Sequence, residues 1–578
     1  MKTLVTVLVL LFLCAPAARC FAAAPPSEVS VRDFGAAGDG VEDDTGAFAD
    51  AMAAVAKSGG TVKVPVGNYL ISTHLSVPNN VTLEGVWRIP TAWTANLGST
   101  LLAVEGAGSE DGTAFITLGT NSTLKGITVF YPDQKMDSVT PYPWCVAGSG
   151  GDNSSIVDCL LVNPYQAVDF GTRNSGRHYI RGLYGQPLRR GIFVDKCYDV
   201  GRIENVHFWP FWGWDGHPEL QKWMWENGET FIFGRTDWEY VLNTFVFGYK
   251  TGYRFIQTAS GAMNGNLLGI GADATNVAVL VEQTQKPGLL ITNGQFVSFG
   301  GQQPTEVVVK ATHDGVVQFQ NCSYWGPAAQ IARIAGKGVV SFNNCNFLTW
   351  GYGESDWARG NSDIPAIDHF GGSLTVMGCT FGENKAQLRA RGEGASAIFA
   401  ANQLSGPLRA EATSGASLQS GLNAAKMIKT PPPPKRPKEE AGAIVVDDSD
   451  GPPGVVFRGA WKVAETPANY YRSTHWAVRG SGDAVATFRP LVAKAGRYDV
   501  WVYISDDPMN DHATDAKVTV RGADTAVRKV LNTRGAKGAW HKLGTFAFAR
   551  GRQGEISFSN DATGNVVADA LKLVPARR

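Results

Sequence analysis

From residue 126 to residue 381 the chain repeats one small pattern: a turn residue, then an apolar or aromatic residue two or three places on. It occurs at Gly126 (GITVF), Asp158 (DCLLV), Gly182 (GLYG), Asn205 (NVHF), Asn243 (NTFVF), Asn266 (NLLG), Asn293 (NGQF), Asn321 (NCSYW), Asn344 (NCNF) and Gly378 (GCTF). Successive position numbers differ by 32, 24, 23, 38, 23, 27, 28, 23 and 34. The smallest difference, 23, accommodates one coil of three short strands and three turns. Such coils stack by parallel pairing at about 4.8 Å per coil. Ahead of the repeat, Phe48, Met52, Ala53 and Val55 predict one face of a short helix, with Asp43, Asp44 and Thr45 as cap candidates. Gly59-Gly60 ends that helix, and residues 61–66 alternate as a strand.

Residues 31–72 contain DFGAAGDGVEDDTGAF and then GGTVKVPVGNY. This resembles the N-terminal cap of the pectate-lyase-like, right-handed parallel β-helix proteins, which include polygalacturonases, rhamnogalacturonases (a glycoside-hydrolase-28-related group) and phage tailspikes. The resemblance implies an all-β, right-handed parallel β-helix over 25–425. It does not choose a reaction, since the fold hosts hydrolases, lyases, epimerases and binders. The NTD, DD, GHG and RIK signatures of polygalacturonases are missing from the expected register; the DD at 43–44 belongs to the cap.

Three of the differences exceed that floor clearly, by 9, 15 and 11. The additional chain falls in 130–144, 210–227 and 349–365, all rich in aromatics and acids. Insertions on one side of a solenoid mark its binding face, so the three loops are expected to wall one cleft. Within them and beside them, Tyr131, Trp144, Trp209, Trp212, Trp214, Trp225, Trp350 and Trp357 are candidate sugar platforms.

Ten places back from the turn residues lie Asp195, Phe233 and Asp368; eleven back lie Glu282, Lys310 and Arg333, and Asp169 stands in the corresponding strand. A column of ionisable groups faces water, as a groove floor or as an ordinary solvated face. Two acids across a glycosidic bond can hydrolyse it. The floor candidates are Asp169 and Asp195, and the wall candidates Asp215, Glu219 and Glu229. Asp237 repeats the position of Asp199, six places before an Asn, and reads as a turn residue. Lys310 and Arg333, with Arg189 and Arg190, would instead suit binding of a uronate by a lyase.

Residues 426–442 form a Pro-rich, charged linker. Beyond it, eight strand-like runs at 455–465, 484–492, 496–505, 515–523, 526–533, 540–549, 554–560 and 566–574 predict an antiparallel sandwich over 443–578. FRGAWKVAE, GRYDVWVYIS, WHKLGTFAF and VVADALKLV resemble the golvesin C-terminal and xanthan-lyase type of carbohydrate-binding domain. The resemblance implies polysaccharide targeting. Trp461, Tyr470, Tyr471, Trp476 and Trp540 are candidate platforms, and Trp501 is expected in the core.

Charge adds little: 52 basic and 52 acidic residues balance, which argues against nucleic acid or an anionic membrane as partner. Residues 1–24 read as a secretory signal peptide, so a secreted or periplasmic protein is expected, as a monomer. Cys159, Cys322, Cys345 and Cys379 each follow a turn residue and are expected to stack inward as free thiols; Cys145 and Cys197 fall outside that register. No CxxC or His/Cys spacing suggests zinc, so no metal is expected; Ca2+ would enter only with a lyase. The functional readings, in order, are a glycoside hydrolase with an accessory carbohydrate-binding domain, a polysaccharide lyase acting by β-elimination on a uronate polymer, and a non-catalytic polysaccharide-binding protein.

Overall fold

The computed structural model describes residues 26–87, 97–209, 217–352 without 302, 363–425, and 436–576 with short gaps at 465–467, 472, 506–510, 524 and 536–537. The expected leader, Trp212, Trp214, Asp215, Trp357 and residues 426–435 of the linker lie outside these residues. The chain divides into two compact units, Met1–Ile428 and Lys429–Arg578.

The first unit is a parallel β-helix. Each coil crosses three faces, and the first face is a thirteen-stranded sheet running from Leu75–Val77 to Ala410–Thr413. Second-face strands such as Val316–Gln320 and Val339–Asn343 lead directly into third-face strands such as Ser323–Trp325 and Asn346–Phe347. Every neighbour in these faces pairs in parallel, for example Phe319 with Phe342 and Tyr324 with Phe347.

The bend between second and third faces carries the repeated turn residue, and its backbone is left-handed from coil to coil. Asn205 (φ 52°), Asn243 (50°), Asn293 (57°), Asn321 (54°) and Asn344 (53°) share this conformation with Gly126, Asp158, Gly182 and Gly378. Left-handed φ costs an ordinary residue about 1–2 kcal/mol, and Gly, Asn and Asp tolerate it best. The bends are also bonded along the helix: the Asn205 N–H donates to the Leu242 carbonyl (3.0 Å), Asn243 to Leu268 (2.9 Å) and Asn344 to Met377 (3.0 Å).

Two details differ from the sequence reading. Asn266 lies inside the strand Gly265–Leu268, and the bend of its coil is Gly269 (φ 66°). The column also continues through Ala401 (φ 56°) and Leu422 (φ 56°), where no turn-type residue signals it.

Inside, aromatic side chains stack from coil to coil. Phe231 lies 4.9 Å from Tyr253, Phe319 4.9 Å from Phe342, and Phe347 4.7 Å from Phe381, all nearly parallel or gently tilted. The six cysteines of the described residues are free and buried. Cys322, Cys345 and Cys379 follow one another in the column just after the bend, and Asn402 takes the next place, accepting from the Cys379 N–H at 2.9 Å. The N-terminal end is closed by helix α1, Thr45–Ala56, which buries Phe48, Ala51, Met52 and Val55 while Ala53 faces solvent. Asp43 makes the cap contact, accepting from Thr45 N–H at 3.0 Å; Asp44 turns back to accept from Ala37 and Gly38.

The second unit is antiparallel throughout its sheets, which have four, five and three strands. Strands Ile444–Asp447 and Thr474–Ala477 were not anticipated, and the expected run at 566–574 divides into Val566–Ala568 and Ala570–Pro575. In Gly496–Ile504 the buried positions are Tyr498, Val500, Val502 and Ile504. Trp501 therefore points away from the core, contrary to expectation.

The left-handed column predicts opposite effects at two bends. Leu422 is 91% exposed, so Leu422→Asn removes strain without losing packing and should raise stability by about 0.5–1 kcal/mol. Asn344→Val should lower it by about 1–2 kcal/mol. Urea denaturation of the two variants measures both; equal midpoints would refute the role of the bend.

Candidate functional site

The three insertions do leave the helix at one corner, each joining a third-face strand to a first-face strand. They precede the strands Trp144–Gly148, Glu229–Phe233 and Ile367–His369. Along the first face the second of these is three strands beyond the first, and the third five beyond the second. At one coil spacing per strand those offsets are about 14 and 24 Å. The first two insertions flank one stretch of the first face, and the third stands beyond it.

On that stretch the outward residues come in two columns. One reads Trp144, Gln166, Arg190, Glu229 and Thr251 across neighbouring strands. The other reads Ala147, Asp169, Phe193, Ile232 and Arg254. Arg254 holds both oxygens of Glu229 at 3.0 Å and reaches Glu282 at 2.8 Å. Arg189 lies 3.8 Å from Glu229 and donates to the Asn227 carbonyl at the end of helix α2, Pro218–Asn227. Arg190 donates to Gln166 at 2.6 Å. Burial opposes the Arg254 charge, but Glu229 and then Glu282 hold its pKa above the ordinary guanidinium value.

Aromatic rings rim this charged floor. Trp144 stacks on Phe193 with centroids 6.4 Å apart, and Trp223 of α2 stands 6.1 Å from Tyr165. Burial pushes the Tyr165 phenol up, and the neighbouring Glu110 adds to this while Arg189 and Arg190 oppose it. The sequence reading passed over Tyr165, Trp223 and Arg254. Only the register of the first face brings them together with Arg189, Arg190 and Glu229.

The remaining candidates fall elsewhere. Asp169 accepts from Gly171 and Thr172 N–H groups at 2.9 and 2.8 Å, closing its own turn. Asp195 lies just past its strand, 4% exposed, and accepts from Arg235 N–H at 2.6 Å and Thr258 hydroxyl at 3.0 Å. It is thus not in the Asp169 column, because counting back from the bend mixes two registers; Phe233, from the same count, is fully buried. Glu219 is exposed in the first turn of α2. Lys310 and Arg333 are exposed farther along the first face, and Arg333 shares its column with Asp368.

Among the aromatics, Tyr131 and Trp350 are interior and offer a sugar no surface. Trp225 is half-buried and donates to the Ala274 carbonyl at 2.7 Å. Trp209 belongs to the outside of the third face, stacked 5.1 Å from His207 in a strip that includes Trp87, Tyr184, Phe245 and Phe247. It does not overhang Asp169 and Asp195.

In the second unit Lys542 lies 5.7 Å over Trp501, and Lys572, buried and paired with Glu439 at 2.8 Å, lies 4.6 Å over Trp540. Tyr470 is buried beside Trp540, and Trp461 and Trp476 pack against the core. Beneath them Asp447, Asp448 and Asp569 are all buried. Burial and then the Asp448 charge push Asp569 up to about 9.

Residues 28–137 match the family model "Rhamnogalacturonase A/epimerase, pectate lyase-like", and residues 444–575 match "Golvesin C-terminal domain". Each of the two compact units thus carries one of these matches. It is similar to the xanthan lyase of Bacillus sp. (strain GL1), 35% identical over 128 residues, 21% of this chain and 13% of that protein. It is also similar to mannuronan C5-epimerase AlgE1 of Azotobacter vinelandii, 39% identical over 84 residues, 12% of this chain and 6% of that protein. The matched segments thus span only small parts of both relatives. Among solved structures, the A-module of the Azotobacter vinelandii mannuronan C-5 epimerase AlgE6 is 16% identical, covering 68% of this chain and 98% of that one, with a TM-score of 0.44.

Two consequences of this charge placement are testable. Arg254→Met would leave Glu229, 8% exposed, without its main partner. The loss should be about 2–3 kcal/mol, below the cost of breaking a fully buried pair because the arginine is partly exposed; chemical denaturation measures it. For Asp569, an unfolded carboxyl ionises near pH 3.9 and the folded one at about 9. The folded state binds the extra proton between these values, so this group's contribution weakens stability as pH rises through that window. Asp569→Asn should flatten the difference between melts of the second unit at pH 5 and pH 8; an unchanged difference would exclude Asp569 as its source.

Proposed function

We propose that the β-helix unit is an exported enzyme that acts on an acidic polysaccharide, binding it over the first face between Trp144 and α2. The observation that carries this reading is the convergence of Arg189 and Arg190 from one coil and Arg254 from two coils on, about Glu229 of the coil between, with aromatic rings beside them. Stacked rings suit the flat faces of sugars, and guanidinium groups suit carboxylates, which they bind in a bidentate fork. The golvesin C-terminal domain, with Trp501 and Trp540 beside lysines, would hold the same class of polymer.

The reaction this floor supports best is β-elimination at a uronate. A base removes the C5 proton, the electron pair forms the C4–C5 double bond, and the C4–O4 glycosidic bond breaks. Cations against the carboxylate stabilise the charge that develops on it. Tyr165, held protonated by burial, is placed to give its proton to the departing O4. Hydrolysis, first in the sequence reading, has weaker support: Asp169 and Asp195 are already engaged as acceptors within turns.

A panel of acidic and neutral polysaccharides, followed for new reducing ends and for ultraviolet absorbance of unsaturated products, tests this. Both signals together are expected, on acidic polymers only. Tyr165→Phe should lower kcat by about 10²–10⁴-fold with little change in KM. Arg190→Gln should mainly raise KM. Reducing ends without absorbance would replace elimination by hydrolysis, and binding without either signal would leave a binding protein.

A further inference from the structure

Away from the first-face floor, three consecutive coils place His178, Gly201 and Glu239 in one column: Arg202 pairs with Tyr179 and with Tyr240, one residue after each. The middle position is a glycine, and a Cβ there would stand 2.4 Å from Glu239 Oε2 and 2.5 Å from His178 Nε2. The missing side chain lets His178 and Glu239 reach each other across the intervening coil. Their Nε2 and Oε1 atoms are 2.9 Å apart, and both side chains are fully buried. Cys197, also fully buried, comes from the middle coil. One donor atom from each of His178, Cys197 and Glu239 lies within 4.8 Å of the others.

The hydrogen bonds leave a cation unaccounted for. His178 Nδ1 is 3.0 Å from the Ser175 carbonyl, which can only accept, so Nδ1 carries a hydrogen. Nε2 then faces a carboxylate oxygen, and two lone pairs cannot face each other at that distance unless something positive lies between them. The second carboxylate oxygen, Glu239 Oε2, is buried with no hydrogen-bond partner. Cys197 Sγ lies 2.9 Å from the Asp199 carbonyl, to which a thiol would donate and which also accepts from the Arg177 N–H at 3.1 Å. A proton shared between Nε2 and Oε1 would satisfy those two atoms only. A divalent ion would also take up Oε2 and the thiolate.

We propose that His178, Cys197 and Glu239 bind a transition-metal ion of the zinc class. The donor set is that of tetrahedral zinc: imidazole nitrogen, thiolate sulfur and carboxylate oxygen. Neutral imidazole, thiolate and carboxylate carry two negative charges together, so a divalent ion makes the buried group neutral. The Ser175 carbonyl supplies the outer hydrogen bond that fixes a ligating imidazole. All three donors are fully buried, so the ion is structural: it ties three coils together. Separation along the chain hid the site, since its donors stand at positions 178, 197 and 239, far wider apart than any short metal-binding motif.

Because the site is closed, metal must enter during folding. The test is therefore to produce the full chain in medium supplied with Zn2+ alone or Co2+ alone, and to measure bound metal and the absorption spectrum after purification. About one ion per chain is expected, with a near-ultraviolet thiolate-to-cobalt band in the cobalt form. Cys197→Ser should abolish the band, and Glu239→Gln should cut metal content about tenfold or more. Cys345→Ser, in the interior ladder, should leave both unchanged. Wild-type protein with no bound metal from either medium would overturn the proposal and leave a proton between His178 and Glu239. A cobalt–thiolate band that survives in folded Cys197→Ser would overturn it equally. The wild-type measurement decides even where a variant fails to fold.

Discussion

A single backbone constraint organises the β-helix from Gly126 onward: one residue per coil turns left-handed where the second face becomes the third. Because that residue's N–H also bonds to the following coil, the bend does two jobs at once. It sets the corner angle and locks the vertical register. Parallel pairing alone would allow a coil to slip, and a slip of one residue turns every interior side chain outward. Where the bend is Asn, Asp or Gly, the conformation costs little. Where it is Ala401 or Leu422, the paired strands on either side must hold the strained residue in place.

This explains what was legible in the sequence. Asn321, Asn344 and Gly378 were readable as one column because the backbone accepts few residue types there. The buried thiols followed from the same register, one place further on. The column became unreadable at Asn266, where an asparagine stood in a strand three places before the true bend, and at Ala401 and Leu422, where strand pairing on either side overrides local preference. Counting back to the first face then failed by two places at Asp195, since the turns between the faces vary in length. The candidate floor could not be found that way: Arg254, Tyr165 and Trp223 meet only through pairing across strands far apart in the chain.

The acids were misleading for a related reason. Carboxylates are common in β-helix turns because they satisfy N–H groups that the strands leave unpaired. Asp169 and Asp195 are of this kind, and a catalytic acid looks no different from them in a sequence. Arg189 and Arg254 meeting at one buried glutamate, with Arg190 beside it in register, is the more informative signal, because no single turn requires that convergence.

The bend column also bears on how such a chain can change length. With corner and register both set by one residue per coil, a whole coil can be duplicated or deleted while its neighbours keep their contacts. A shorter insertion is tolerated only where it bulges from a corner, as the loop at 130–144 does. The architecture thus separates two kinds of inheritance: coil number varies as a unit, while the loops drift freely. Chemistry confined to a few adjacent coils can then survive in descendants of quite different length.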